Sequence, residues 1–354
     1  MSTQVNAENA KIAIYGAGAM GTVLGSFMTK GGVKNVHLIT RNKAHVDGLK
    51  KNGAKLVCEA EKQELTIPVN ALLPSEMTEQ YDVIFLMTKQ KNNAEILHFL
   101  LPYLKEDGAV VTTQNGLPEE SVASVVGKER TYGGVASFGA TFLGNGKVAL
   151  TSAFKGMGIQ VCGYENGNEK LPLLLEILSR AGTAVGNENF AKASENLAGA
   201  RWSKLAINAA FSGLSVVTGM TFGEVAKKKK TRKIALGILR ECMSVANALG
   251  VELEKMQGHD MQKMLGGETA LKRFVAYLVL PFAMRRHKKL VSGMCKDVEN
   301  GRKCEIDFID GVVVQKGKQT GVETPLCEKV VEIVHGIENG LYETDYCNAD
   351  FFEI

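Results

Sequence analysis

The chain lacks most of what would set it outside the ordinary globular class. Its seven cysteines include no C-x-x-C pair and no spacing that suggests zinc. Neither a metal site nor a disulfide framework is therefore expected, and the thiols read as reduced, in a cytoplasmic protein. The longest apolar run, Phe274 to Met284, has eleven residues and contains Pro281; about 20 are needed to span a bilayer. Met1 to Lys11 is polar and has no apolar stretch, so no secretory signal is expected. Charge bias is missing too: 42 basic and 38 acidic side chains leave +4, which gives no reason to expect nucleic acid or a membrane as partner. No internal repeat is present. The one biased tract, Lys227 to Lys230, has no interleaved aromatic residues and reads as a solvated loop or helix end.

What is present is globular material. A 45% hydrophobic and 23% charged composition excludes disorder as a global description, and 354 residues at about 150 per domain suggest about two domains. In the first half, strand-like runs alternate with helical patterns: Lys11 to Tyr15, a helix from Ala19 to Lys30, then Val36 to Thr40, Val83 to Met87 and Ala109 to Thr113. That alternation predicts a parallel sheet. Close-set strands between Gly133 and Gly163, with turn signals at Gly144-Asn145-Gly146, predict an antiparallel addition. Beyond Asn187 helical periodicity takes over, with helices expected over Glu195 to Val217 and Lys233 to Leu249. Ile306, Ile309 and Val313 form the apolar stripe of another. The expected fold is α/β: an N-terminal Rossmann-like parallel-sheet domain with an antiparallel addition, residues 1–190, then a mostly α-helical domain, residues 191–354.

Gly16-Ala17-Gly18-Ala19-Met20-Gly21 fits G-x-G-x-x-G between a strand and a helix. Gly16 would make the tight turn, Gly18 would admit a pyrophosphate and Gly21 would allow close packing, with the helix N-terminus supplying N–H groups and a favourable dipole. An NAD site usually places a carboxylate about 20 residues on. Here the second strand ends in Thr40-Arg41-Asn42-Lys43. Arg41 suits a 2′-phosphate, with Lys43 adding charge, so NADP(H) is the expected cofactor, although both residues also read as ordinary surface bases.

Two further clusters stand where chemistry is expected. Gln114-Asn115-Gly116 ends the fourth strand, at the sheet edge where such folds bind ligands, and is equally a good turn. Lys204, Asn208 and Ser212 are spaced i, i+4, i+8, within an arc of about 80° on one helix; this is a site or simply a wet face.

Taken in order, these features resemble the ketopantoate reductase family (2-dehydropantoate 2-reductases) over nearly the whole chain. They are the 16–21 glycine motif, Arg41, Met87-Thr88-Lys89, Gln114-Asn115-Gly116, the Lys204-x-x-x-Asn208 helix and Asp297 to Asp307. The resemblance implies an NADPH-dependent reduction of 2-dehydropantoate (ketopantoate) to pantoate in pantothenate biosynthesis, with the substrate in an interdomain cleft. It makes Lys204 the proton donor and Asn208 a substrate ligand. Lys89 and Asn115 become cofactor contacts, Asn115 also near the substrate. Glu305 falls at the cofactor ribose and active site, and Ala140 supplies a backbone cofactor contact. Desolvation would lower the Lys204 pKa while Glu305 would hold it protonated.

Departures fall in the substrate shell. Ser212 stands where many members have asparagine, Phe222 where the pantothenate enzymes have asparagine, and Ser292-Gly293-Met294 where Ser-Ser-Met is usual. Contact with the substrate carboxylate is then absent at Gly293 or supplied by Ser292. These departures favour, as alternative, a D-2-hydroxyacid dehydrogenase acting on another branched 2-oxo acid. A β-hydroxyacid dehydrogenase would carry an Asp-Ala-Pro-Val-Ser-Gly-like segment, which is missing. His37, His98, His335 and the cysteines read as structural. The expected partner is a small 2-oxo acid, and a homodimer stays open.

Overall fold

The structure, a computed structural model, describes residues 5–166, 168–255, 260–266 and 269–354. The chain divides into two compact units, Met1–Gln114 with Pro118–Leu197, and Asn115–Leu117 with Ala198–Ile354.

The first unit begins with β1 (Lys11–Tyr15), buried from Ile12 onward, then α1 (Ala19–Lys30) and β2 (Asn35–Ile39). It continues through α2 (Lys43–Asn52), β3 (Ala54–Cys58), β4 (Gln63–Ile67), β5 (Asn70–Leu72) and β6 (Tyr81–Leu86). Next come α3 (Asn93–Leu100), β7 (Leu104–Thr112), α4 (Glu119–Val126), β8 (Thr131–Ala136), β9 (Ala140–Gly144) and β10 (Lys147–Leu150). The unit closes with β11 (Ile159–Gly163), α5 (Leu171–Thr183) and β12 (Ala191–Ala193).

Eight strands form one sheet in the order β12-β11-β8-β7-β6-β1-β2-β5. Pairing is parallel from β5 across to β8, antiparallel between β8 and β11, and parallel again from β11 to β12. Strands covered on both faces must be apolar along their length, and β6 (YDVIFL) is buried at every position. The order reverses between β1 and β6, the switch point at which open α/β sheets bind ligands.

The Gly133 to Gly163 region is more divided than its spacing predicts. Only β11 adds antiparallel to the main sheet. The β9–β10 hairpin, turning at Gly144-Asn145-Gly146, joins β3 and β4 in a second sheet of order β4-β3-β10-β9. That sheet packs on α1, which accounts for eight consecutive buried residues, Gly21 to Met28, on one helix.

The second unit is helical. α6 (Leu197–Asn208) runs through a π turn over Ala209–Gly213 into α7 (Leu214–Thr218). The stretch expected as one long helix is therefore continuous but widened in the middle. There follow α8 (Phe222–Lys227), α9 (Lys229–Ala248), α10 (Met261–Leu265), α11 (Ala270–Ala283), α12 (Gly293–Glu299), α13 (Ile306–Thr320) and α14 (Pro325–Glu338). Its core gathers Trp202, Leu205, Phe211, Ile234, Leu239 and Val330 around Ile306, Ile309 and Val313, the stripe expected on α13. The lysine run is a helix junction: Lys228 lies over the Tyr346 ring (3.8 Å to its centroid) and Lys230 pairs with Asp350 (2.6 Å). Among the described residues no helix is long and apolar enough to cross a membrane.

Candidate active site

Gly16 leaves β1 with φ of 100°, in the left-handed region that side chains avoid. A Cβ there would lie 2.6 Å from the Met87 carbonyl carbon and 2.5 Å from the Thr88 nitrogen, both backbone, so the turn demands glycine. Its own N–H and that of Ala17 both donate to the Ile39 carbonyl at 2.9 Å, tying the loop to the end of β2. A Cβ on Gly21 would lie 2.7 Å from the Gly16 oxygen, so α1 can start this close to the loop only with glycine there. Gly18 differs. A Cβ there would meet nothing nearer than the Gly16 oxygen at 4.0 Å, so the protein's own packing does not ask for glycine. The N-terminus of α1 has neither a side-chain cap nor an acidic residue in its first turn. An uncapped helix N-terminus beside an open glycine suits an anionic group approaching the backbone, and these residues fit a dinucleotide pyrophosphate.

Around the loop, Arg41 is exposed just past β2, near enough to Tyr15 for its charge to oppose the upward push of burial on that phenol. Asn42 caps α2, its Oδ1 accepting the His45 N–H at 3.1 Å. Lys43, expected to add charge beside Arg41, is paired with Asp47 at 2.8 Å. Lys89 is exposed on the loop after β6. Ala140 opens β9, in the smaller sheet rather than at the carboxyl edge of the main one.

Behind the edge lies a polar network whose role sequence reading missed. Gln114 and Asn93 exchange amide hydrogen bonds at 2.7 and 3.1 Å. Thr112 donates to Gln114 at 3.0 Å, and Asn93 donates to Ser121 at 2.9 Å. These bonds fasten the loop after β7 to α3 and α4. A glutamine directly before Asn-Gly was the available signal.

In the helical unit, Lys204, Asn208 and Ser212 are all partly buried. The π turn changes their spacing. An i→i+5 turn advances each residue through a smaller angle than the α-helix does, so Ser212 falls short of the 80° arc and back toward the line of Lys204. Burial, then the neighbouring Arg201 charge, draws the Lys204 ammonium down to about 7. Arg201, one turn earlier and only 2% exposed, is the influence that residue-by-residue matching overlooked.

Ser292 caps α12, its Oγ accepting the Met294 N–H at 3.2 Å, and is buried; its oxygen serves the helix. Gly293 is exposed, and a Cβ on it would meet nothing within 4 Å. Phe222 is a core residue packed against Phe211, ring centroids 5.6 Å apart and planes tilted by 36°. Glu305 stands partly buried immediately before α13, and Asn115 is exposed.

A glycine turn at the switch point of a Rossmann-like sheet, with a helical unit bearing a desolvated lysine, defines a two-part protein of the dinucleotide-fold class. Residues 12–161 match the ketopantoate reductase PanE/ApbA family, and residues 196–338 match its C-terminal part. The chain belongs to the ketopantoate reductase family and is an oxidoreductase of that family. It is 28% identical over 333 residues to the 2-dehydropantoate 2-reductase of Lactococcus lactis subsp. lactis (strain IL1403), covering 93% of this chain and 98% of the relative. Among solved structures it resembles a D-mandelate dehydrogenase in ternary complex with NADH and anilino(oxo)acetate, at 27% identity and TM-score 0.77, covering 94% of this chain and 99% of the other. A 2-dehydropantoate 2-reductase from Geobacter metallireducens GS-15 is similar at 26% identity and TM-score 0.75, over 92% and 99%.

Proposed function

We propose that this enzyme reduces a small 2-oxo acid with NADPH, and that the acid is 2-dehydropantoate, giving pantoate for pantothenate biosynthesis. Lys204 carries the reading: a lysine drawn down to about 7, sharing a helix face with Asn208, in a chain of this family. The loop from Gly16 through Ala17, Gly18, Ala19 and Met20 to Gly21 would hold the pyrophosphate and Arg41 the 2′-phosphate, with Lys89 and Ala140 as further contacts. When bound, the nicotinamide supplies hydride to the carbonyl carbon. Lys204 then gives its Nζ proton to the carbonyl oxygen as negative charge gathers there, leaving a neutral amine. Asn208 hydrogen-bonds neighbouring oxygens, and Ser212 answers the substrate hydroxyl, directly or through water. Asn115 and Glu305 are assigned where cofactor and substrate meet.

A second reading, a D-2-hydroxyacid dehydrogenase, is favoured by the likeness to D-mandelate dehydrogenase and by the departures from the family pattern at Phe222 and Gly293. One comparison separates them: kcat/KM for ketopantoate, 2-oxoisovalerate and phenylglyoxylate, each with NADPH and NADH. Ketopantoate with NADPH should lead 2-oxoisovalerate by about tenfold, the scale of one hydrogen bond to the hydroxyl of its additional hydroxymethyl group, and Ser212→Ala should erase most of that lead. Equal constants for ketopantoate and 2-oxoisovalerate would remove pantoate as the product, and a preference for phenylglyoxylate would establish the second reading.

A further inference from the structure

A buried histidine with no part in these assignments stands close to the glycine loop. His45, in the first turn of α2, is fully buried, and both of its ring nitrogens are engaged. The Gly146 N–H donates to Nδ1 at 2.9 Å, so Nδ1 carries no proton. Nε2 lies 2.9 Å from the Thr22 Oγ1 on α1 and is therefore the nitrogen that bears the hydrogen of the neutral ring. It donates to Thr22, and the Thr22 hydroxyl in turn donates to the Ala17 carbonyl oxygen at 3.3 Å. The relay runs one way, from the turn of the β9–β10 hairpin through the ring to the glycine loop. Burial keeps the ring neutral, drawing its pKa down to about 4.

The backbone is shaped to bring these groups together. Gly146 has a φ of 84°, and a Cβ there would lie 2.8 Å from the Gly48 carbonyl carbon on α2. A Cβ on Gly48 would run into the Asn145 carbonyl. Glycine faces glycine, which seats the hairpin turn on α2 near enough for its N–H to reach the ring. At the other end, the Ala17–Gly18 peptide is held twice, its oxygen by Thr22 and its N–H by the Gly16 oxygen at 2.7 Å. Gly18 has no close packing neighbour, so hydrogen bonds rather than contacts fix the peptide that an incoming pyrophosphate would meet.

We propose that His45 is a positioning residue for the dinucleotide: through Thr22 it fixes the Ala17–Gly18 peptide, and with it the aim of the loop's N–H groups at the pyrophosphate. The role rests on the dinucleotide reading of the glycine loop. Being fully buried, the ring touches neither cofactor nor substrate. Its loss should weaken cofactor binding and spare the proton transfer at Lys204.

Thr22→Val tests this, because it removes the hydroxyl at nearly constant volume and leaves His45 in place. Fluorescence titration with NADPH should give a Kd about tenfold or more above that of the unaltered chain, the scale of a buried hydrogen bond left unmade. With the fastest of the three 2-oxo acids compared above, KM for NADPH should rise alike, while kcat and the KM for the acid stay within about twofold. Thr22→Ser restores the hydroxyl and should return the Kd to within about twofold of the unaltered value. His45→Phe should match Thr22→Val, and the two Thr22 variants still decide if it fails to fold. An NADPH affinity unchanged in Thr22→Val, Thr22→Ser as weak as Thr22→Val, or a kcat that falls as far as the affinity would each overturn the role. An unaltered chain that binds neither NADPH nor NADH would remove the dinucleotide reading, and this role with it.

Discussion

A lysine brought down to about 7 is half protonated near neutrality, where an ordinary lysine at about 10.4 would hold its proton too tightly to give it up readily. As the proton donor, Lys204 should make kcat/KM for carbonyl reduction fall as pH rises above about 7 in the free enzyme. Lys204→Ala should lose about 10²- to 10⁴-fold in turnover with little change in cofactor affinity; steady-state rates from roughly two pH units below to two above the lysine's pKa check both. Burial of the ammonium also acts on stability. Its penalty is complete below the folded pKa of about 7 and eases as pH rises toward the unfolded value, because there the folded chain has already shed the proton. Lys204→Met should accordingly raise the melting temperature, and by more at pH 6 than at pH 9, a trade of stability for activity. Arg41 offers a separable test. Its exposed guanidinium lies in the first unit, and Arg41→Ala should cut NADPH affinity about ten- to a hundredfold while sparing NADH. Equal use of both cofactors by the unaltered chain would refute the phosphate role.

Among the elements, the π turn binds packing most closely to the candidate site. Gly213 ends it, and a Cβ there would lie 2.6 Å from Val330 Cγ1 on α14 and 2.8 Å from Asp310 Oδ2 on α13. Gly213→Ala should destabilise by about 1–3 kcal/mol, as overpacking does, and should raise the KM for the 2-oxo acid if Ser212 moves with the turn; denaturant unfolding and kinetics read the two effects. Nothing in Ala209-Ala210-Phe211-Ser212-Gly213 announces a widened turn, and the stretch packs against α9, α13 and α14, elements distant in sequence. Elements whose signals are local were legible: β1 and α1 lie where the apolar run and Gly31-Gly32 put them, and α9 stops before Gly250, whose φ is 73°. Strand β4 escaped reading because Gln63, Glu64 and Thr66 face solvent, which leaves too little apolar alternation to mark a strand; β3 does alternate but is only five residues long. The start of α9 at Lys229 was hidden by its own lysines. The glycine loop was plain from its place between strand and helix, whereas spacing left Lys204 open between a site and a wet face, and its role came from the family resemblance. Arg201 lies one turn away on the same helix and was within reach of spacing; the Gln114–Asn93 pair joins residues 21 apart, and spacing carries no record of that.

For the molecule as a whole, Asp310 is one group through which acidity reaches stability. It is fully buried, and neither carboxyl oxygen has a hydrogen-bond partner among the described residues. Burial, with the nearby Glu241 charge, pushes its pKa well up, so the folded chain keeps the proton that the unfolded chain releases near 3.9. Stability from this site is complete below about 4 and is lost as pH rises toward the folded value. Asp310→Asn, neutral throughout, should melt progressively higher than the unaltered chain as pH rises above about 4; a constant difference would refute a protonated Asp310. Asn115–Leu117 groups with the helices although the chain on either side of it belongs to the sheet, and Leu117 packs on the helical core. Recombination between members of this family therefore meets a constraint that a single crossover near residue 197 cannot satisfy. To transplant the helical unit intact, a chimera must also exchange the three residues after Gln114, so it needs junctions at 114/115, 117/118 and 197/198.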